Sequence, residues 1–478
     1  MLATGSVLLL IYLLLMIPCQ STDEPVRLAG VNPFAWNQDD LWKGLEKTFL
    51  AEKKADPVLR EMQFAKLRVT AETALTRMQG ECLPPEDAVF DSLLYNFFAM
   101  APVIAAGKEH TDWFLGYYSR VRNSIKMQSQ RWDMNSKAAR NTIYKVLYGM
   151  RAAVEEVLLQ SPGMSFEPAI FVKDERSATP SAKIFGITVH SGDLLVSRGG
   201  AVVSALISRG NDYPGNFSHV AMIYVDEHTS VPYLVEAHIE RGVAVSSVAQ
   251  YIADKKLRFM VMRPREDLPA LMRDPMIPQK AAKYIYEAAL ARHIPYDFKM
   301  NFGDTSALFC SEVGSLAYQR YGIRLWEAIS TISSPGVVSL LREFGVENFV
   351  TMMPSDLEYD PQLSVVAEWR DPQTLYKDHV YNAVMDIMLE NAEKGGEIRI
   401  NPWMLPFART VKGYSLLLNL FRMEGPIPEG MSATQGLKNN SFEDEHTRIR
   451  ARTEEKARLF TARNGYVPPY WQLVEMAK

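Results

Sequence analysis

The sequence predicts an α+β protein, in which a central domain of short strands followed by helices lies between two helical regions. Three observations carry that reading. Apolar residues recur at spacings of three and four from about residue 40 to 160; short β-rich runs replace them after about 165; helical patterning returns from Pro372. The boundaries drawn from these shifts are an N-terminal segment 1–21, a helical region 22–164, a central domain 165–371 and a helical region 372–478. With 478 residues the chain exceeds one ordinary core, so two or three are expected.

The elements follow in order. Val7 to Ile17 is an uncharged apolar run, closed by Pro18, Cys19 and a polar stretch. It has the length of a signal-peptide core with cleavage near Ser21, but no Lys or Arg precedes it, and from Met1 it nearly suffices as a retained anchor. Lipidation at Cys19 fits poorly behind Pro18. Glu61–Gln79 repeats Phe64, Leu67, Ala71 and Leu75 along one helical face. Pro84 and Pro85 are read as opening a second helix with Val89, Phe90, Leu93, Leu94, Phe97 and Phe98 facing a core. Asp91 and Pro102 argue that this helix is packed, not membrane-spanning. A third helix follows Asn135, and Ser161-Pro162-Gly163 ends it.

In the central region, strands are read at Ala169–Lys173, Asp193–Ser197, Val220–Val225, Tyr233–Ala237 and Phe259–Arg263, then helices at Gln279–Arg292 and from near Ser306. Toward the C-terminus, Ser441 and Asp444 are read as a capping box opening the last helix, which Gly465, Pro468 and Pro469 stop. Asn401–Phe407 and Tyr414–Phe421 are apolar enough for lipid contact, although packing against the central domain is the expected role.

Composition narrows the class. Hydrophobic residues at 47% and charged ones at 23% describe a folded globular chain. A formal net charge of −4 gives no support for a nucleic-acid partner. Of the three cysteines, only Cys82 and Cys310 lie beyond the leader-like segment, too few for a disulfide scaffold. No Cys/His spacing suggests a metal site, and no cofactor is expected.

Cys310 is the residue with chemical promise. Thr305 or Ser306 is read as capping a helix with Val313, Leu316, Ala317 and Tyr321 on its buried side, which puts Cys310 in about the first turn. There the helix dipole and unpaired N–H groups favour a thiolate, and the same N–H groups suit an oxyanion. A lone cysteine in this place is usually a small packing residue; the upstream context changes that. His219 stands at the mouth of the strand His219–Tyr224, and a nucleophilic thiol needs a base of this kind. In the next strand a period of two puts Leu234, Glu236 and His238 on one face. Glu236, or alternatively His238, can then orient the imidazole.

The set Gly192-Asp193-Leu194-Leu195-Val196, Ser218-His219-Val220-Ala221-Met222-Ile223, Val235-Glu236-Ala237, Pro295-Tyr296-Asp297 and Phe309-Cys310-Ser311-Glu312 resembles the permuted NlpC-type papain-like superfamily, in particular its YiiX/YaeF branch of amidases and cysteine hydrolases. Met353–Leu357 and Leu363–Val366 are similar to the segment that closes such domains. The resemblance spans roughly residues 185 to 370 and implies a small antiparallel sheet with packed helices. It implies an exported hydrolase with Cys310 as nucleophile, His219 as base and Glu236 as orienter, acting on a peptide, amide or lipid substrate of the cell envelope. Membrane association would come through the N-terminal segment. Tyr296, Asp297 and Ser218 are candidates to line the cleft, with turn packing an equal reading of the first two. The Ser208–Asn216 segment is long for this pattern. Asn216-Phe217-Ser218 is formally a glycosylation sequon, set close to the base.

Overall fold

The structure, a computed structural model, describes residues 2–18, 24–28, 30–161, 168–254, 256–370, 372–421 and 423–478; for 2–8 and 372 only the backbone is described. Cys19, the cleavage position near Ser21, and Pro162-Gly163 lie outside the described residues. The N-terminal helices are α1 (Leu2–Leu15), α2 (Asp39–Glu52), α3 (Pro57–Gly80), α4 (Ala88–Gly107), α5 (Thr111–Ser129) and α6 (Lys137–Leu159). Side-chain caps set three of these starts: Asp56, Asp87 and Ser136 accept from the N–H groups of Val58, Val89 and Ala139. Asp87, and not the Pro84-Pro85 pair, therefore opens α4. Among the described residues α4 is the one helix long and apolar enough to cross a membrane. Its predicted apolar face is buried against α2, α3 and α6.

The chain continues as β1 (Ala169–Phe171), β2 (Ser181–Ile184), β3 (Ile187–His190), β4 (Leu194–Gly199), α7 (Val202–Arg209), β5 (His219–Val225), β6 (Pro232–His238) and β7 (Gly242–Ser247). Then come α8 (Val248–Ala253), β8 (Lys256–Pro264), α9 (Pro269–Arg273), α10 (Ile277–Ala291), α11 (Cys310–Gln319), β9 (Ser330–Thr331), α12 (Pro335–Arg342), β10 (Val350–Thr351), α13 (Asp356–Tyr359) and β11 (Leu363–Arg370). The C-terminal helices are α14 (Pro372–Glu393), α15 (Leu405–Leu420), α16 (Ala433–Asn464) and α17 (Tyr470–Ala477). Helix α16 starts at Ser432, whose capping box uses Gln435. The Ser441 and Asp444 pair lies inside the helix, which starts earlier at the Ser432 cap and runs through Gly436 without a break. Gly465, at φ +73°, ends α16 as read, but Pro469 then opens one more helix, α17.

Seven strands form one antiparallel sheet in the order β1-β11-β8-β4-β5-β6-β7. Strand alternation divides its side chains between two layers. Val196, Val220, Met222, Val235 and Met260 join the core that holds α11 and also the N-terminal helices. Leu195, Ala221, Ile223, Leu234 and Val261 face Tyr251 and the β2–β3 hairpin.

Through this core runs a buried lattice of charge. Arg122 of α5 reaches Glu368 at 2.5 Å and Glu358 at 2.8 Å, and Arg151 of α6 contacts the same two carboxylates. Glu155 of α6 pairs with Arg258, with Arg370 at 3.1 Å and with His379 at 2.8 Å. Asp378 of α14 closes the lattice onto Arg258 at 2.8 Å and Arg198 at 3.2 Å. Burial opposes the Glu155 carboxylate, but Arg258, His379 and Arg370 outweigh it and hold its pKa well below the usual range. Because cations and anions nearly balance, each ion has partners that offset its desolvation. Glu155→Gln should cost about 3–5 kcal/mol, read as a fall in the denaturant midpoint, since it removes the anion shared by Arg258, Arg370 and His379 and leaves Asp378 and Glu368 to offset the buried positive charge. Glu81→Gln, at an exposed pair with Arg77, should leave the midpoint unmoved.

Candidate active site

The position of Cys310 follows from how its helix begins. A parallel bridge between Tyr296 and Leu308 fixes the approach of the chain, and Phe309, extended at φ −96° and ψ 171°, is the N-cap. Phe309 has no side-chain acceptor, so the cap comes from within the helix: Glu312 Oε2 accepts from the Phe309 N–H at 3.0 Å. Ser306 instead donates its N–H to Asp304 in a preceding turn. Helix α11 thus starts at Cys310 itself, later than a Thr305 or Ser306 cap implied. It packs on β5 and β6, and Gly314 also lets it close on β4: a Cβ there would meet Leu194 Cδ2 at 2.6 Å.

The thiol S–H is directed at the carbonyl of Ser218, 3.8 Å away, and Cys310 is only 4% exposed. Burial pushes its pKa up to about 11, against the opposing N–H groups of Val220, Ser311 and Cys310 itself. This corrects the expected acidification by the helix start. The dipole and N–H groups are in place, but loss of solvent is the larger effect, and the resting group is a thiol.

His219 is the first residue of β5, opposite Ser197 of β4. Glu236 of β6 pairs across from Ala221, so the pleat puts it on the same face as His219. His219 Nε2 is 2.7 Å from Glu236 Oε2, while His238 Nε2 stands 3.2 Å from Oε1. Glu236 is fully buried between the two rings, whose centroids are 6.0 Å apart. Its desolvation is overcome by hydrogen bonds and charge from His219 and His238, and its pKa lies well below the usual carboxylate range. Burial is also the main influence on His219 and lowers its pKa, with Glu236 opposing. The resting pair is therefore a carboxylate and a neutral imidazole. Nε2–H donates to Glu236, and the Nδ1 lone pair remains without a hydrogen bond among the described residues.

The pleat also separates the two candidate groups, Cys310 and His219. Val220 and Met222 point to the side carrying α11, so His219 leaves β5 on the other side. Thiol and imidazole meet the mouth of β5 from opposite faces, and among the described residues no hydrogen bond joins them. The structure thus brings His219, Glu236 and His238 into contact, and sets Cys310 against the backbone of residues 218 to 220.

Of the remaining sequence candidates, Tyr296 lies beside Cys310, and its hydroxyl pKa is raised, mainly by burial and then by the thiol. Asp297 accepts from the N–H groups of Lys299 and Asn301 and holds the turn before α11. Ser218 is buried and donates its N–H to Ser197. Asn216 is buried too, its side chain accepting from Arg151, so the sequon is closed to a glycosyltransferase in the folded chain. Sequence reasoning gave no role to Glu312, because the capping rule looks for Ser or Thr where Phe309 stands. Its carboxyl is pushed up to about 8 by burial. Tyr251 and Lys256 were also missed: the ammonium lies 4.3 Å over the buried ring, near Glu236 and His219. Nothing local in the sequence pairs α8 with β6.

Residues 188–367 match the family described as permuted papain-like amidase enzyme, YaeF/YiiX, C92 family. The matched segment runs from β3 into β11 and contains Cys310, His219 and Glu236. It places this part of the chain in that permuted papain-like family, in line with the order of motifs, and so in a hydrolase fold. The helices α1–α6 and α14–α17 lie outside it. No curated protein and no solved structure matches the chain.

The buried thiol has a direct consequence. At pH 7 to 8, iodoacetamide should modify exposed Cys82 before Cys310, and Cys310 labelling should still be rising above pH 9. Peptide mass spectrometry resolves the two sites. A Cys310 rate that levels off near neutral pH would mean that the helix start outweighs burial.

Proposed function

We propose that the protein is a cysteine amidase with Cys310 as nucleophile, His219 as base and Glu236 as the residue that orients the imidazole. The observation that carries this reading is the Glu236–His219 hydrogen bond of 2.7 Å. A buried carboxylate holds Nε2, and the one free nitrogen is left on the residue whose backbone flanks the thiol. The reading requires the Cys310–His219 contact to form in the substrate complex, with the imidazole turning about the mouth of β5 toward the thiol.

In the proposed cycle the Cys310 proton passes to His219 Nδ1 as Sγ bonds to the amide carbonyl carbon. With the thiol pKa near 11, transfer accompanies attack, and no ion pair forms beforehand. The N–H groups of Cys310 and Ser311, free of intrahelical partners, stabilise the oxyanion. The C–N bond breaks as His219 returns its proton to the departing amine. Water then gives its proton to Nδ1, attacks the thioester, and releases the acid and the thiol. Residues 165–371 are the catalytic unit in this reading, with 22–164 and 372–478 as flanking helical regions. Tyr296, Asp297 and Ser218 lie at the approach to the thiol. The apolar N-terminal segment supports an exported, envelope-side location, and the amidase description of the matched family supports a peptide amide as substrate.

A second reading, hydrolysis or transfer of a lipid acyl group on the same residues, has its own observation. Arg241 approaches His238 at 3.3 Å and Glu424 at 3.6 Å, and Glu424 follows the exposed apolar helix α15. A membrane-borne substrate would reach the site from that side.

Cys310→Ala should abolish turnover of peptide amides with the fold retained, and His219→Ala should lower kcat about 10²–10⁴-fold. Intact-mass analysis should find an acyl adduct on Cys310. An adduct from lipid esters but not from muropeptides selects the second reading. No turnover and no adduct with either class would sink both and leave a binding scaffold. Because burial lowers the His219 pKa, the acid limb of kcat/KM should fall below the ordinary value of about 6.5. Glu236→Gln should move it lower still, since the carboxylate stabilises the imidazolium.

A further inference from the structure

Helix α15 was expected to pack against the central domain, and the structure shows the reverse. Only Leu405, Pro406, Ala408 and Ser415 of this helix are buried. Phe407, Leu416, Leu417, Leu420 and Phe421 face outward with Trp403 just before them; Leu420 is 77% and Phe421 68% exposed. Single exposed apolar residues are ordinary, but a contiguous ridge of this kind marks an interaction site.

Two further observations say what covers it. Helix α1 lies alongside: Tyr12 donates to the Trp403 carbonyl at 3.0 Å, and Arg409 donates to the Ile17 carbonyl at 2.6 Å. Leu10, Leu14 and Ile17 of that segment are exposed as well, so the two apolar surfaces adjoin. No charged residue occurs from Met1 to Thr22. Charge is the second. From Ile398 to Met423 the sequence has Arg399, Arg409, Lys412 and Arg422 and no Asp or Glu, within a chain of net charge −4. Glu397 and Glu424 bound this stretch. Arg409 donates to neutral backbone carbonyls, which use its hydrogens without cancelling its charge; Lys412 does the same, with Glu429 as its charged neighbour and Glu424 turned to Arg241. An apolar ridge with Trp and Tyr among its residues and cations at its flanks is the pattern of a helix lying in a membrane interface.

We propose that α15, together with α1, docks the protein on an anionic lipid bilayer, with the α15 side chains inserted at the headgroup boundary. The proposal does not depend on the enzymatic reading. A protein partner would have to cover α1 and α15 together, and the local basic excess matches a lipid surface of opposite charge.

Flotation of the full chain tests this, using vesicles of phosphatidylcholine alone or mixed with phosphatidylglycerol. The full chain should float with the mixed vesicles, and a combined Leu416→Glu, Leu420→Glu, Phe421→Glu variant should lose about tenfold in the bound fraction. Circular dichroism checks that this variant is folded; if it is not, Leu420→Glu alone is read in its place. A chain lacking residues 1–21 should keep weaker binding that falls as salt rises. Cys310→Ala should float like the unmodified chain, which separates docking from catalysis. Variants that float as well as the parent would overturn the proposal, as would binding lost entirely with residues 1–21. Self-association through this face without vesicle binding would overturn it too.

Discussion

The buried charge lattice is the constraint on which the rest of the structure depends. Arg122 and Arg151 enter from the N-terminal helices, Arg198 and Arg258 from the middle of the sheet, and Asp378 from α14. Leaving any of these ions unpaired in the core would cost several kcal/mol, so the helices on either side cannot move off the sheet independently. A lattice of this kind contributes less net stability than an apolar core of the same volume. What it imposes is geometry: Arg122 and Arg151, and the strand arginines Arg198 and Arg258, are satisfied only when α5, α6 and α14 sit at one height against the sheet.

That rigidity reaches the candidate site through β4 and β5. Arg198 follows Ser197, which pairs with His219, so the strand that holds the histidine is braced by the strand tied to Asp378. On this frame, burial governs the chemistry more strongly than the local helix does. It raises the thiol, lowers the imidazole and, with two rings beside it, leaves Glu236 as the charged member. The candidate site is neutral at Cys310 and at His219 and carries its negative charge on Glu236 behind them. Such an arrangement suits proton transfer in step with bond formation better than a standing ion pair.

The strongest periodic signals in the sequence correspond to real elements. The face from Val89 to Phe98 is buried as read, and the strand beginning at His219 is β5. Strands β2 and β3 escaped notice because each has four residues with exposed positions among them, and nothing local distinguishes such runs from loops. Strand β7 opens on Gly242 and ends on two serines, a composition that reads as turn. Helix starts were misjudged where a rule matched in the wrong place: Ser441 fits a capping box, but Ser432 has one too and comes first. The start of α11 escaped the same rule because its cap is supplied by Glu312 from inside the helix.

The sequence by itself named the candidates for the site. The order of the segments around His219, Glu236 and Cys310 is enough to suggest a permuted papain-like domain, because short motifs in a fixed order carry fold information that each lacks alone. The period of two in β6 put Glu236 and His238 on one face, but only strand pairing decided that Glu236 is the residue touching His219. Tertiary structure also reversed the expected state of Cys310, since desolvation depends on everything packed around the thiol and not on its place in a helix. It likewise left α15 uncovered: an apolar pattern states that a face avoids water and does not state whether protein or lipid will cover it.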